Sequence, residues 1–355
     1  MCKRSSVELP LFIYYFQENE NRFLYFLFEH KFVQVRGEGM HRQERWEKIA
    51  LITGVLLVLG YISGMGLEFS SLKWVMTAKG DWKVESSDAV SRTWMLFFLS
   101  TAILSVLPAF IFIPALIKTR NKEWPGWERG VSMRYAVYYF ALYQVGYVVI
   151  QLVFTVFPQS LFAENSFGNL IESFLPQFMM AGIGLLLFYS RLHDIGFVRP
   201  VKGKQLILSI ILCYIFTRFL LDYLITLPIS NLFHFNLDSW REQQISGEVM
   251  QAKNIGLVTG VLEILFVGFF VPVAEEMMFR GVLQTVLVER FGAVIGVVGS
   301  SFLFAAIHVD PVLFPPLFTL GLMLGWLRHH HRSLWASVLF HALNNTITVC
   351  IYFFQ

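Results

Sequence analysis

The sequence predicts an all-α, polytopic transmembrane helix bundle of about eight spans, and three observations carry that prediction. Hydrophobic residues make up 55% of the 355 residues and charged residues 15%, against about 25% charged in an average soluble domain. The mean hydropathy is +0.57, and the apolar residues come in runs of roughly 20, long enough to cross a bilayer. Thirty-six Phe and nine Trp suit lipid-facing helices with aromatic belts at the interfaces.

In chain order the runs fall at residues 49–66, 93–117, 133–157, 173–190 and 206–232, then at 257–274 running on toward 290. They continue at 292–308 with a short partner at 315–327, and end at 334–354. Basic residues cluster in alternate loops: Arg42, Arg45 and Lys48; Lys118, Arg120, Lys122, Arg129 and Arg134; Arg191, Arg199, Lys202 and Lys204. Loop 158–172 has no Lys or Arg, and loop 233–256 has only Arg241 and Lys253. The positive-inside rule sets the basic loops on the cytoplasmic side. In loop 67–92, Lys73, Lys79, Lys83 and Arg92 balance the acids and blur the contrast.

Three regions follow: an extension over 1–48, bland transmembrane helices over 49–256, and a chemically loaded region over 257–355. Within the extension, Leu11 to Phe28 is aromatic but broken by charged and amide residues, so it reads as neither a span nor a signal segment. Arg36-Gly37-Glu38-Gly39 has purine-rich codons, as a translated ribosome-binding site before a start at Met40 would; an interfacial extension is the other reading. A net charge of +3 with its cations in loops gives no footprint for nucleic acid. Cys2, Cys213 and Cys350 are too scattered for a disulfide framework.

Ionisable groups within a bilayer need a partner or a function. Glu276 and Arg280 stand four apart on one helical face and can neutralise each other. Glu275 lies about 100° round the helix from Glu276 and has no such local partner. A desolvated carboxylate without a counter-ion suits a general base working near neutrality. Pro272 removes a helix hydrogen bond just before it and opens the backbone. Glu275 lies 17 residues before Gly292 and His308 lies 16 after it, so a hairpin there returns both to one depth. His341 and Asn345, four apart in the last span, can donate hydrogen bonds; alone they would read as interhelical glue. Burying such groups separately is costly, so Glu275, His308, His341 and Asn345 are expected to share one polar cavity. Access to it is expected from the cytoplasmic side or between helices.

Other polar groups carry less. Gly321 and Gly325 form a small-residue packing face, Arg218 and Asp222 are expected to satisfy one another, and Glu263 has no evident partner. His329-His330-His331 reads as a basic cap between helices. There is no HExxH, Walker A or GxGxxG motif, and no GxSG or GxGD.

Glu275-Glu276-x-x-x-Arg280, Phe304-x-x-x-His308 and His341-x-x-x-Asn345, in that order, resemble the motifs of the CPBP family. That family groups CAAX prenyl endopeptidases with bacteriocin-processing and abortive-infection (Abi) proteins. The resemblance covers roughly 257–350. It implies an intramembrane peptidase in which Glu275 activates water and His308 assists. His341 and Asn345 would stabilise the oxyanion, and Arg280 would order the motif through Glu276. The family has been described both with and without a metal. A metal-free site is preferred here because Asn345 suits an oxyanion; the alternative is a divalent metal such as zinc on Glu275, His308 and His341. Eukaryotic relatives cut after a prenylated cysteine near a C-terminus. The implied partners are a membrane-associated peptide or protein and the lipid bilayer; the bacterial start suggested at Met40 adds a bacterial plasma membrane as the expected location. A non-catalytic interaction or bacteriocin-immunity protein is the competing reading.

Overall fold

The computed structural model of the chain describes residues 44–85, 95–119, 131–157, 161–163, 166–201 and 203–355. The readings of Leu11 to Phe28 and Met40, and the cations Arg42, Arg92, Arg120, Lys122, Arg129 and Lys202, lie outside these residues.

The first three helices are α1 (Glu44–Ser71), α2 (Met95–Thr119) and α3 (Met133–Val156). They share a small core in which Leu57, Phe112, Ala115, Tyr138 and Ala141 are buried. Gly60 lets α1 approach α2 backbone to backbone, since a Cβ there would lie 3.1 Å from the Leu104 carbonyl carbon. Loop 67–92 contains the one non-helical element pair among the described residues. Strands β1 (Lys73–Met76) and β2 (Trp82–Glu85) form an antiparallel hairpin, with Trp74 opposite Val84. Trp and Val favour a pleated surface, and Gly80, at φ +85°, supplies the left-handed turn residue. Leu72 and Val84 pack on Val309 and Val312, so the hairpin lies over the loop that follows His308.

The chain continues through α4 (Phe167–Ser173) and α5 (Leu175–Phe188), bent by 60° at a break before Pro176. Next come α6, over residues 203–233, and α7 (Trp240–Ile255). The last four helices are α8 (Leu257–Phe291), α9 (Ala293–Ala306), α10 (Phe314–His331) and α11 (Leu334–Phe354). Six helices are long and apolar enough to cross a membrane, or seven if the bent pair is one span; α9 is a shorter apolar helix. The protein is an integral membrane protein built as an all-α bundle.

Two sequence expectations change. Segment 233–256, read as a loop, contains the polar helix α7, whose Ser239 cap accepts from the Glu242 N–H at 3.1 Å. Its sequence, WREQQISGEVMQAKNI, lacks the apolar stripe on which a sequence reading depends. Arg218 and Asp222 form no ion pair within 4 Å; Asp222 instead accepts from the Thr226 hydroxyl at 3.1 Å. Both charges are exposed, so burial does not force them together.

The bundle has two distinct ends. Loop 191–201 meets the turn into α11, where Leu334 N–H donates to Gly196 O at 2.6 Å and Ser333 Oγ to Val198 O at 2.5 Å. At the far end of α11, Tyr352 OH donates to Glu242 at 2.6 Å and Lys253 to Phe353 O at 2.7 Å. The basic loop 191–201 and the polar helix α7 therefore sit at opposite ends, separated by the roughly 30 Å length of a 20-residue helix.

Candidate active site

The site grows from α8, whose hydrogen-bond register changes twice. π turns occupy Phe266–Phe270 and Met277–Leu283, with one short α segment, Val271–Glu276, between them. Such turns recur at functional sites because they displace side chains from the regular helical surface. The Val271 N–H reaches back to Phe266 O, five residues away. Pro272 has no N–H to offer, so the carbonyls of Val267 and Gly268 lack their donor in the π and α registers respectively. Helix α11 supplies both: Asn345 Nδ2 donates to Val267 O at 3.3 Å and Thr346 Oγ1 to Gly268 O at 3.2 Å. Gly268 makes this approach feasible, since a Cβ there would lie 3.1 Å from the Thr346 Cα.

One turn further on, the two adjacent acids part company. Glu276 and Arg280 are both fully buried and pair at 3.1 Å. Glu276 Oε1 also accepts from His341 Nδ1 at 3.1 Å. Arg280 is held on two further sides: Nη2 donates to Gly321 O at 3.3 Å, and its Cζ lies 4.2 Å above the Phe304 ring. Gly321 packs directly on Ser301, and one turn along, Gln284 Nε2 donates to Gly325 O at 2.9 Å. The Gly321–Gly325 face thus presents carbonyls to α8 as well as close packing.

Glu275 makes no hydrogen bond to any described residue. Its side chain keeps 10% exposure, and His341 Nε2 faces it at 3.8 Å. His341 therefore stands between the two acids, bonded to one and open toward the other. Tyr143 of α3 is buried and acts electrostatically with Glu275, so it forms part of the surround.

His308 lies just beyond α9, where its Nδ1 meets Phe304 O at 2.8 Å. A carbonyl only accepts, so Nδ1 carries the proton and Nε2 presents a lone pair. The Phe304 ring separates the two histidines, lying 5.2 Å from His308 and 5.8 Å from His341. The next residue, Val309, has φ +50°, a conformation that a β-branched residue adopts only under strain. Its packing against Leu72, Val84 and Val312 holds it there.

The structure thus brings Glu275, Glu276, Arg280 and His341 into contact. It places His308 against them across Phe304, and it sets Asn345 one turn along, engaged with backbone. A cavity of about 410 Å³ lies elsewhere, between α3, α4 and α7, and is lined by Glu172 and Glu248 among others. Glu275, His308 and His341 do not gather as a three-ligand cluster; among the described residues no three His, Cys, Asp or Glu side chains do. His331 is buried, with Nε2 3.1 Å from Ser209 Oγ, so the triple-His segment is partly interior rather than wholly a surface cap. Sequence reasoning missed Tyr143, for which no local signal exists. It also missed Thr346, although the orphaned carbonyls below Pro272 call for such a hydroxyl, and it gave Phe304 no role.

Fold and site together define a polytopic membrane protein whose buried polar chemistry is concentrated on its last four helices. Residues 257–347, which carry all seven of the motif residues, match the family model of the type II CAAX prenyl endopeptidase Rce1-like proteins. No curated protein and no solved structure matches the chain.

Proposed function

We propose that the protein is an intramembrane endopeptidase that hydrolyses a membrane-associated peptide with water activated by Glu275. The observation that carries this reading is the unequal treatment of two neighbouring buried carboxylates. Glu276 is committed to Arg280 and His341, while Glu275 accepts no hydrogen bond from the described residues and faces His341 Nε2. The family match supplies the reaction class.

In this mechanism Glu275 takes a proton from water as the hydroxide oxygen attacks the scissile carbonyl. The His308 Nε2 lone pair can accept the water's second proton in a hydrogen bond and orient it. The Nδ1–H of His341 is committed to Glu276, so Nε2 is the nitrogen that faces the reacting centre; as imidazolium it donates to the tetrahedral oxyanion. The C–N bond then breaks, Glu275 returns its proton to the leaving amine, and a carboxylate and an amine remain. Asn345 Nδ2 uses one hydrogen on Val267 O and keeps a second for the oxyanion. No step needs a metal. The substrate is a peptide or protein held at the bilayer, and a bacterial plasma membrane is the proposed location.

Glu275→Gln tests the reading, because it keeps the shape and removes the base. The expected result is normal insertion and thermal stability with turnover lowered about 10²–10⁴-fold, the range for a lost general base. Unchanged function would leave a non-catalytic interaction or bacteriocin-immunity role as the better account. Activity is further expected to survive gentle EDTA treatment, with no stoichiometric zinc in the purified protein. Loss on chelation and recovery with zinc would move His341 from oxyanion donor to ligand.

A further inference from the structure

Of the two site histidines, His341 lies within a helix and His308 does not. Helix α9 ends at Ala306, and the His308 imidazole follows two residues later, held by the bond between Nδ1 and Phe304 O at 2.8 Å. Its neighbour Val309 is left-handed, at φ +50°. A β-branched residue keeps that conformation only where its surroundings impose it. Whatever fixes this loop therefore also aims the imidazole.

The support is a closed ring of contacts. Val309 packs on Val84 of β2. In the same strand, Trp82 donates its N–H to His234 O at 2.6 Å, and its carbonyl accepts from Asn236 N–H at 2.8 Å. Three residues further on, Ser239 Oγ donates to Asp310 Oδ2 at 2.6 Å. Asp310 directly follows Val309, so the ring closes on the residue next to His308. The Asp310 side chain is buried, and its two oxygens have separate partners. Oδ1 closes the turn into α10, accepting from Val312 N–H at 2.8 Å and Leu313 N–H at 3.2 Å. That local bond needs only one oxygen. Oδ2 is spent on a hydroxyl 71 positions earlier in the chain, at the start of a helix that contributes no motif residue.

We infer that Asp310 is a positioning residue for the reaction. Through its bond to Ser239 it holds the left-handed turn at Val309, and so keeps His308 Nε2 directed at the water that Glu275 activates. The assignment rests on the endopeptidase reading. Neither Asp310 nor Ser239 touches the substrate; both act through the imidazole. A group that orients a reactant and is misplaced by about 1 Å loses up to about a hundredfold in rate, so a bond two residues away is close enough to matter.

The test uses detergent-solubilised full-length protein and a series of peptides, each with a prenylated cysteine followed by three residues. Asp310→Ala also opens the turn into α10, so Ser239→Gly carries the test. Glycine retains most of the capping preference at the start of α7, and thermal stability is expected to stay close to wild type. The kcat should fall roughly ten- to a hundredfold with KM little changed. Ser239→Thr, which keeps a hydroxyl, should restore most of it. A double-mutant cycle separates aim from packing: on a His308→Ala background, Ser239→Gly should cost nothing further. Full activity of Ser239→Gly overturns the assignment, and so does an equal loss with and without His308. A loss that follows thermal stability and is not rescued by threonine overturns it too. All three outcomes leave the peptidase standing. If wild type cuts no member of the series, the peptidase reading itself fails and the positioning role falls with it.

Discussion

The chain's two halves solve the same solvation problem in opposite ways. In α6, 11% of the most apolar window over Gly203–Leu220 is buried, and in α1, α2 and α3 the figure is 28%. In α8 it rises to 39% and in α11 to 44%. The upstream helices mostly meet lipid; several of their polar groups bond locally, as Thr53 Oγ1 does to Ile49 O at 2.7 Å, and a few neutral ones cross between helices, as Gln144 Nε2 does to Ser105 Oγ at 2.9 Å. The downstream helices turn inward and exchange polar groups with one another: Arg280 with Gly321, Gln284 with Gly325, His341 with Glu276, and Thr346 with Gly268. Apolar packing alone gives helices little reason to choose partners in lipid. The polar exchanges set the register of α8 against α10 and α11, and the same exchanges build the site.

That contrast predicts a graded response to substitution. The largest effect is expected at Glu276→Gln and Arg280→Met, since each strands a buried charge at a cost of about 3–5 kcal/mol. Denaturation in mixed detergent micelles would measure this. The double variant should recover part of the loss, and simple additivity would break the pairing argument.

A smaller effect is expected at Thr346→Val, which leaves the Gly268 carbonyl unsatisfied at about 1–3 kcal/mol. Pro272→Ala restores an N–H at the right place in the helix, so Thr346→Val should cost less on that background. An equal cost on both backgrounds would show that Thr346 does not compensate for the proline. The smallest effect belongs to the upstream half. Leu208→Ala, at a side chain 57% exposed, should shift stability by no more than about 0.5 kcal/mol. A large loss there would mean that α6 packs on something beyond lipid.

The functional region shows which signals travel along a chain. Glu276 and Arg280 are legible because a helix brings residues four apart together whatever else it touches. Glu275 is legible as the odd acid for the same reason. The equal intervals of 33 residues from Glu275 to His308 and from His308 to His341 foretell helices returning to one depth. They do not say which histidine touches which acid. His341 makes both contacts, whereas His308 is turned to Phe304 O. Asn345 reads from sequence as an oxyanion donor, yet in the structure it also answers a carbonyl orphaned by a proline 73 positions earlier.

Composition and periodicity determined that this protein lives in a membrane, roughly where its apolar spanning helices lie, and which residues are too polar to be idle there. Those are local properties, fixed by the bilayer's thickness and the backbone's need to satisfy its own hydrogen bonds. The tertiary structure alone decided that Tyr143 borders Glu275, that the hairpin of β1 and β2 packs beside His308, and that α7, a helix with no apolar stripe, is tied through Ser239 to Asp310 in the loop after His308. These depend on contacts between residues up to more than a hundred positions apart, and no local spacing encodes which surfaces of a bundle will meet.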